Sequence, residues 1–161
     1  MPRVEATTFV PVPPDVAFAL SQTQAPLRYR WDTFVRHQEL MHGAEHPAVG
    51  VQTFTKSRHG LRMVSEYQSF KPPHQVGMKM VKGPWFFSKF GGGWSFAETE
   101  GGTNVTWRYT FAVHPKWLAP IGDRIGTWLL GRDVRKRLDG YAAAVDDPEL
   151  MAAVEADLAK G

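Results

Sequence analysis

GGTNVTWRYTFAV, residues Gly101 to Val113, alternates without a break after its glycines. Val105, Trp107, Tyr109, Phe111 and Val113 fall on one side, and Asn104, Thr106, Arg108, Thr110 and Ala112 on the other. Period-two alternation predicts a strand with one buried and one wet face, the usual condition of an antiparallel sheet. Upstream, WSFAET (Trp94 to Thr99) alternates in the same way. Going further back to Phe34, turn chemistry divides the chain at Gly43 to Pro47, His59-Gly60, Pro72-Pro73, Gly83-Pro84 and Gly101-Gly102. The reading is an antiparallel meander of about six strands.

Before the meander, Val4 to Val12 is rich in β-branched residues and ends at Pro13-Pro14, which predicts a first strand stopped by proline. Pro14 suits a first helical turn, Asp15 complements the dipole there, and Val16, Ala19 and Leu20 recur at helical spacing. Pro26 opens a second short helical segment with Leu27 and Trp31. After the meander the period changes: Leu130, Val134, Leu138, Tyr141 and Val145 form one helical stripe, with Ile125, Trp128 and Leu129 nearly opposite. Pro120 and Gly122 place the start of this long helix near Asp123, with Lys116 to Ala119 as a separate turn. Asp147-Pro148-Glu149 begins a terminal helix carrying Leu150, Val154 and Leu158.

The chain has 161 residues, 43% of them hydrophobic, enough for one domain with a sizeable core. We expect one domain over 1–161, with a core at 3–145 and an additional helix at 147–160. The formal charge of +3 is spread along the chain and does not point to nucleic acid. Absence of cysteine excludes disulfides, thiolate metal sites and cysteine nucleophiles. MPRVEATTFVPVPP shows no export-leader pattern, and no apolar run approaches membrane-spanning length, so a cytoplasmic location is expected.

Strand, two short helices, meander and long helix make an α+β order that resembles the SRPBCC superfamily, the START and plant-allergen-like helix-grip fold. Within it, the chain is similar to polyketide cyclase/dehydrase and lipid-transport-like proteins. VPPDVAFALSQ, RYRWD, HPAVGVQTF, SFKPPHQV and GGTNVTWRYTF carry the resemblance, which spans roughly Arg3 to Val145. It implies a curved antiparallel sheet of about seven strands wrapped around the long C-terminal helix, enclosing a cavity. Activities in the superfamily range from lipid carriage to aromatic-ring cyclisation, so no residue here inherits a catalytic role from the match.

Chemistry has to be sought residue by residue. GPWFFSKFGGGWSF (Gly83 to Phe96) has the glycines of a phosphate loop, but a strand and no GK[ST] follows, so Gly91 to Gly93 read as a bend or bulge. His37, Glu39, His42 and His46 lack zinc-helix spacing, and no metal or other cofactor is expected. Glu66, Glu39 and His37 are the candidates for proton transfer, provided one faces inward. Arg132, Arg135, Lys136 and Arg137 read as a solvated basic face. The collar of Trp117, Leu118, Ile121, Ile125, Trp128 and Leu129 is ranked as core first, a homodimer seam second and a membrane contact third.

For the cavity wall we expect Met63, Tyr67, Met78, Met80, Trp94 and Phe96 from the middle strands. Trp107, Tyr109 and Phe111 would come from the last strand, Trp31 from the second short helix, and Leu130, Val134 and Leu138 from the long helix. Gly122, Gly126 and Gly131 would leave space between helix and sheet at about 1 kcal/mol each. The leading expectation is binding of a hydrophobic small molecule, such as a lipid or polyketide-like aromatic. Alternatives are a cyclase or dehydratase using an inward carboxylate or histidine, and a module that binds a protein or membrane partner.

Overall fold

The computed structural model describes residues 1–160. Strand β1 (Arg3–Val10) is followed by helix α1 (Pro14–Ser21) and a 3-10 turn (Leu27–Arg30). The meander consists of β2 (Val35–Leu40), β3 (Gln52–Ser57), β4 (Arg62–Lys71), β5 (Gln75–Lys82), β6 (Phe87–Thr99) and β7 (Gly102–Val113). A second 3-10 turn (Lys116–Leu118) runs directly into α2 (Ala119–Ala144), and α3 (Pro148–Lys160) completes the described chain. The seven strands form one antiparallel sheet in the order β1-β7-β6-β5-β4-β3-β2. This is the helix-grip architecture.

The meander places each strand beside its predecessor, and β1 pairs with β7 over its whole length, from Arg3 opposite Thr110 to Val10 opposite Thr103. The inward residues of β7 from Thr103 to Phe111 are all buried, as the alternation requires. The 26-residue α2 is about 39 Å long at 1.5 Å per residue, enough to cross the concave face of the sheet. It buries Leu130, Val134, Arg137, Leu138, Tyr141 and Ala144.

α1 and α3 close one end of the sheet. The Tyr141 hydroxyl donates to the Ala17 carbonyl (2.6 Å), tying α2 to α1. Arg30 reaches Asp147 and Glu149 at the start of α3, holding that helix against the first 3-10 turn. Leu150 and Val154 are buried there, contributing roughly 1.5–3 kcal/mol each by removal from water.

Three local expectations change. α2 begins at Ala119, four residues earlier than Asp123, because Pro120 occupies the first turn, where no N–H is needed. Gly91 to Gly93 are paired on both sides without interruption, and the register break in β6 lies instead between Phe87 and Lys89. At Gly92 the absent side chain leaves room for aromatic rings: a Cβ there would meet Trp107 Cζ2 at 3.0 Å and Tyr109 Cδ1 at 3.2 Å. Gly122 and Gly126 likewise bring helix and sheet together rather than hold them apart. A Cβ on Gly126 would lie 2.7 Å from the Phe111 ring, and one on Gly122 2.8 Å from Val113.

Candidate functional site

The concave face of the sheet has a packed half and an open half. Toward α1 and α3, Phe96 packs on Phe18 (centroids 5.3 Å apart), and Trp31 packs on Tyr141 (5.4 Å) and Trp94 (6.0 Å). Val10, Val105, Val134 and Leu138 fill the remaining space. Beyond Trp94 and Trp107 the filling stops. A cavity of about 630 Å³ opens between the sheet and the first half of α2, within the range of small-molecule sites. Its walls are mostly apolar: Met63 and Met78 from the middle strands, Phe86, Phe87 and Phe90 around the start of β6, and Ile125, Leu129 and Leu130 from α2.

Two backbone irregularities shape the wall. Phe87 and Phe90 are three residues apart and would face opposite ways on a regular strand. The register break between Phe87 and Lys89 turns both inward. A second break between Val35 and His37 allows Val35 to be buried while Gln38 lines the cavity. His37 and Glu39 then point away.

At the junction of the two halves lies a buried ionic cluster. Asp32, fully buried, accepts from Arg28 Nε (3.0 Å), Arg137 Nε (3.1 Å) and Arg137 Nη2 (2.7 Å) on one oxygen, and from the Phe34 N–H (3.1 Å) on the other. Both arginines are 5% exposed and line the cavity. Arg137 also donates from Nη1 to the Tyr109 hydroxyl (2.9 Å) and lies over the Trp107 ring, 4.6 Å from its centroid. Such stacking suits a guanidinium, whose weak hydration lowers the cost of burial.

Burial alone would raise the Asp32 carboxyl, but the charges of Arg137 and Arg28 outweigh it and hold the pKa below the ordinary value. Burial raises the Tyr109 and Tyr67 hydroxyls, so both are neutral at physiological pH. The Trp107 indole N–H has no hydrogen-bond partner, although it lies close enough to the Tyr109 hydroxyl to moderate that group's shift.

The sequence profile described as polyketide cyclase / dehydrase and lipid transport matches residues 1–146. The chain belongs to this family. Solved structures agree on the fold. A protein of Thermus thermophilus superposes with a TM-score of 0.72 at 17% identity, covering 94% of this chain and 98% of its own. A START superfamily protein of Mycobacterium smegmatis gives 0.69 at 12% identity, covering 89% and 98%. The di-domain ARO/CYC StfQ of the steffimycin biosynthetic pathway gives 0.70 at 16% identity, with 91% of this chain matched to 52% of that one. No curated protein sequence matches.

In this family member, Met63, Tyr67, Met78, Trp94, Trp107, Tyr109 and Leu130 line the cavity. Trp31, Phe96, Val134 and Leu138 belong to the packed half, because α1 and α3 fill that end. Phe111 is buried beneath Gly126, and Met80 packs at the end of β5 beside Gly83. These six residues expected in the wall therefore lie outside it.

The three proton-transfer candidates lie outside it too. Glu66 neighbours inward Tyr67 and therefore faces the other side of β4, where Gln68 Nε2 donates to it (2.8 Å). His37 and Glu39 are exposed and 3.7 Å from each other. Among the described residues, no three metal-type ligands gather.

The α2 collar is not core. Trp117 is 78% exposed, Trp128 65%, Ile125 54% and Leu129 46%, with Ile125 and Leu129 beside the cavity mouth. Among the described residues, no helix is long and apolar enough to cross a membrane. Arg137, assigned to a solvated basic face, is instead buried against Asp32. Its spacing contained a signal, since it is three residues after Val134 and four before Tyr141 on the inward stripe. Asp32, four residues after Arg28, is the other functional candidate that composition and motifs did not single out.

Proposed function

We propose that this protein binds a hydrophobic small molecule in the cavity between the open half of the sheet and α2. The observation that carries this reading is the 630 Å³ space walled by methionine and aromatic side chains in a fold that packs its other half solidly. Empty apolar space forgoes dispersion contacts, and a ligand restores them. Each ligand methylene buried adds about 0.8 kcal/mol, close to fourfold in affinity, and the thioethers of Met63 and Met78 adapt to irregular shapes. Family membership supports the same reading.

The alternative of an enzyme working through Glu66, Glu39 or His37 has less support, because none of the three reaches the cavity. Asp32, the carboxylate beneath its floor, accepts three arginine hydrogen bonds and is a poor base. Native mass spectrometry of protein purified from its own host tests the proposal. A co-purifying apolar molecule that is lost from Met78→Trp is the expected result. Failure of both the native ligand and neutral apolar dyes to bind the wild-type chain overturns it.

A further inference from the structure

The polar groups facing the cavity are unbalanced in charge and in hydrogen-bond type. Arg28 and Arg137 share one carboxylate, so one positive charge in the buried cluster is unmatched. Among the described residues, the only carboxylate in the wall itself is Asp133, which lies 3.8 Å from His59, while Arg132 and Lys136 add positive charge nearby.

Around the cluster, three donors of the described residues are unspent. Asp32 already accepts four hydrogen bonds, three of them on Oδ2. Trp107 Nε1–H is buried and completes no hydrogen bond, although the Tyr109 hydroxyl lies near it. The Tyr109 oxygen receives Arg137, leaving its own proton without an acceptor among the described residues, and Arg28 spends Nε on Asp32 and Nη1 on the Ser21 carbonyl, leaving Nη2 free. Trp107 and Tyr109 are neighbours on one face of β7, ring centroids 5.3 Å apart, with the Arg137 guanidinium over the indole. The donors therefore converge on one region of the cavity floor.

We propose that the cavity ligand is an amphiphilic anion, seated with an oxyanion, a carboxylate in the simplest case, against Trp107, Tyr109 and the Arg28/Arg137 pair. This inference rests on the binding reading above and specifies its ligand class. The oxyanion supplies acceptors for these unspent donors, and it neutralises the unmatched cation in a poorly solvated site, where such hydrogen bonds are strong. Its apolar body lies toward Phe87, Phe90 and Leu129, so the molecule enters head first.

The test uses the full chain and a neutral dye, N-phenyl-1-naphthylamine, displaced by four ligands of equal chain length below their micellar concentrations: tetradecanoate, tetradecanol, methyl tetradecanoate and tetradecyltrimethylammonium. Tetradecanoate is expected to displace the dye at concentrations about tenfold or more below the alcohol and ester, with the cation weakest. Trp107→Phe, which keeps an aromatic ring but removes the N–H, is expected to narrow the carboxylate-to-alcohol ratio at least threefold, and a ratio equal to wild type removes Trp107 from the anion seat. If the dye binds and carboxylate and alcohol displace it equally, the anion proposal falls and the apolar-cavity reading stands. If neither dye nor any ligand binds, both fall together.

Discussion

Replacing Asp32 by asparagine tests the electrostatics of the cavity floor most directly. The substitution keeps the shape and one acceptor oxygen but leaves two guanidinium groups, each 5% exposed, facing each other without a counter-charge. Removing one partner of a buried ion pair costs about 3–5 kcal/mol. That is a large part of the roughly 5–15 kcal/mol that holds a domain together. At roughly 2–4 °C per kcal/mol for a chain of this size, the melting temperature should fall by about 6–20 °C.

Urea unfolding at neutral pH measures the loss, and repeating it in acid checks its cause. The folded-state pKa of Asp32 is depressed, so its contribution is present above the unfolded value of about 3.9 and is lost as pH falls through the folded value. The gap between wild type and Asp32→Asn should therefore be full at neutral pH, begin to narrow near the unfolded value, and close only below the depressed folded value, where the wild-type carboxyl is also neutral. A double-mutant cycle with Arg137→Gln should show a coupling of about 1–3 kcal/mol. A neutral-pH loss below about 1 kcal/mol, or a gap that persists unchanged in acid, refutes the account of Asp32 as the shared counter-ion of two buried arginines.

Other outcomes follow from particular contacts. Gly131→Ala should stabilise the protein by up to about 1 kcal/mol through helix propensity, since a Cβ there meets nothing within 4 Å. Gly126→Ala should lower the melting temperature despite the same propensity gain, because its Cβ would press on Phe111 at 2.7 Å and overpacking costs about 1–3 kcal/mol. Thermal denaturation of the pair decides between them, and equal shifts would show that α2 is not seated on the sheet as described. Met78→Trp should reduce dye binding at least tenfold by filling the cavity, whereas Glu66→Gln on the outer face should leave it unchanged; fluorescence titration reads both. Trp128→Ser should change stability by no more than about 0.5 kcal/mol in urea, since the side chain stands in solvent.

The fold was legible because each element announces itself within about a dozen residues. β7 alternates strictly, the strands are separated by glycine and proline turns, and Leu130, Val134, Leu138 and Tyr141 mark the inward side of a helix long enough to span the sheet. The site was legible only in part. Alternation predicts which side chains face inward, so Tyr67, Met78, Trp94, Trp107 and Tyr109 could be named. It cannot tell an inward residue that meets a packed neighbour, such as Phe96 against Phe18, from one that meets open space. Nor does it survive a register break, and the one near Ser88 turned both Phe87 and Phe90 into the wall.

What the sequence determined by itself, then, is the order of elements, the two faces of each strand and the inward stripe of α2, because these depend on local period and turn chemistry. Tertiary structure alone decided which half of the concave face is filled, since that depends on where α1 and α3 dock. It also decided the fate of Arg137. A guanidinium on an apolar stripe reads as a solvent-facing charge until its counter-ion is found, and that counter-ion, Asp32, is 105 residues away in the chain. Burial of such a charge is tolerable only when the fold brings the partner into contact.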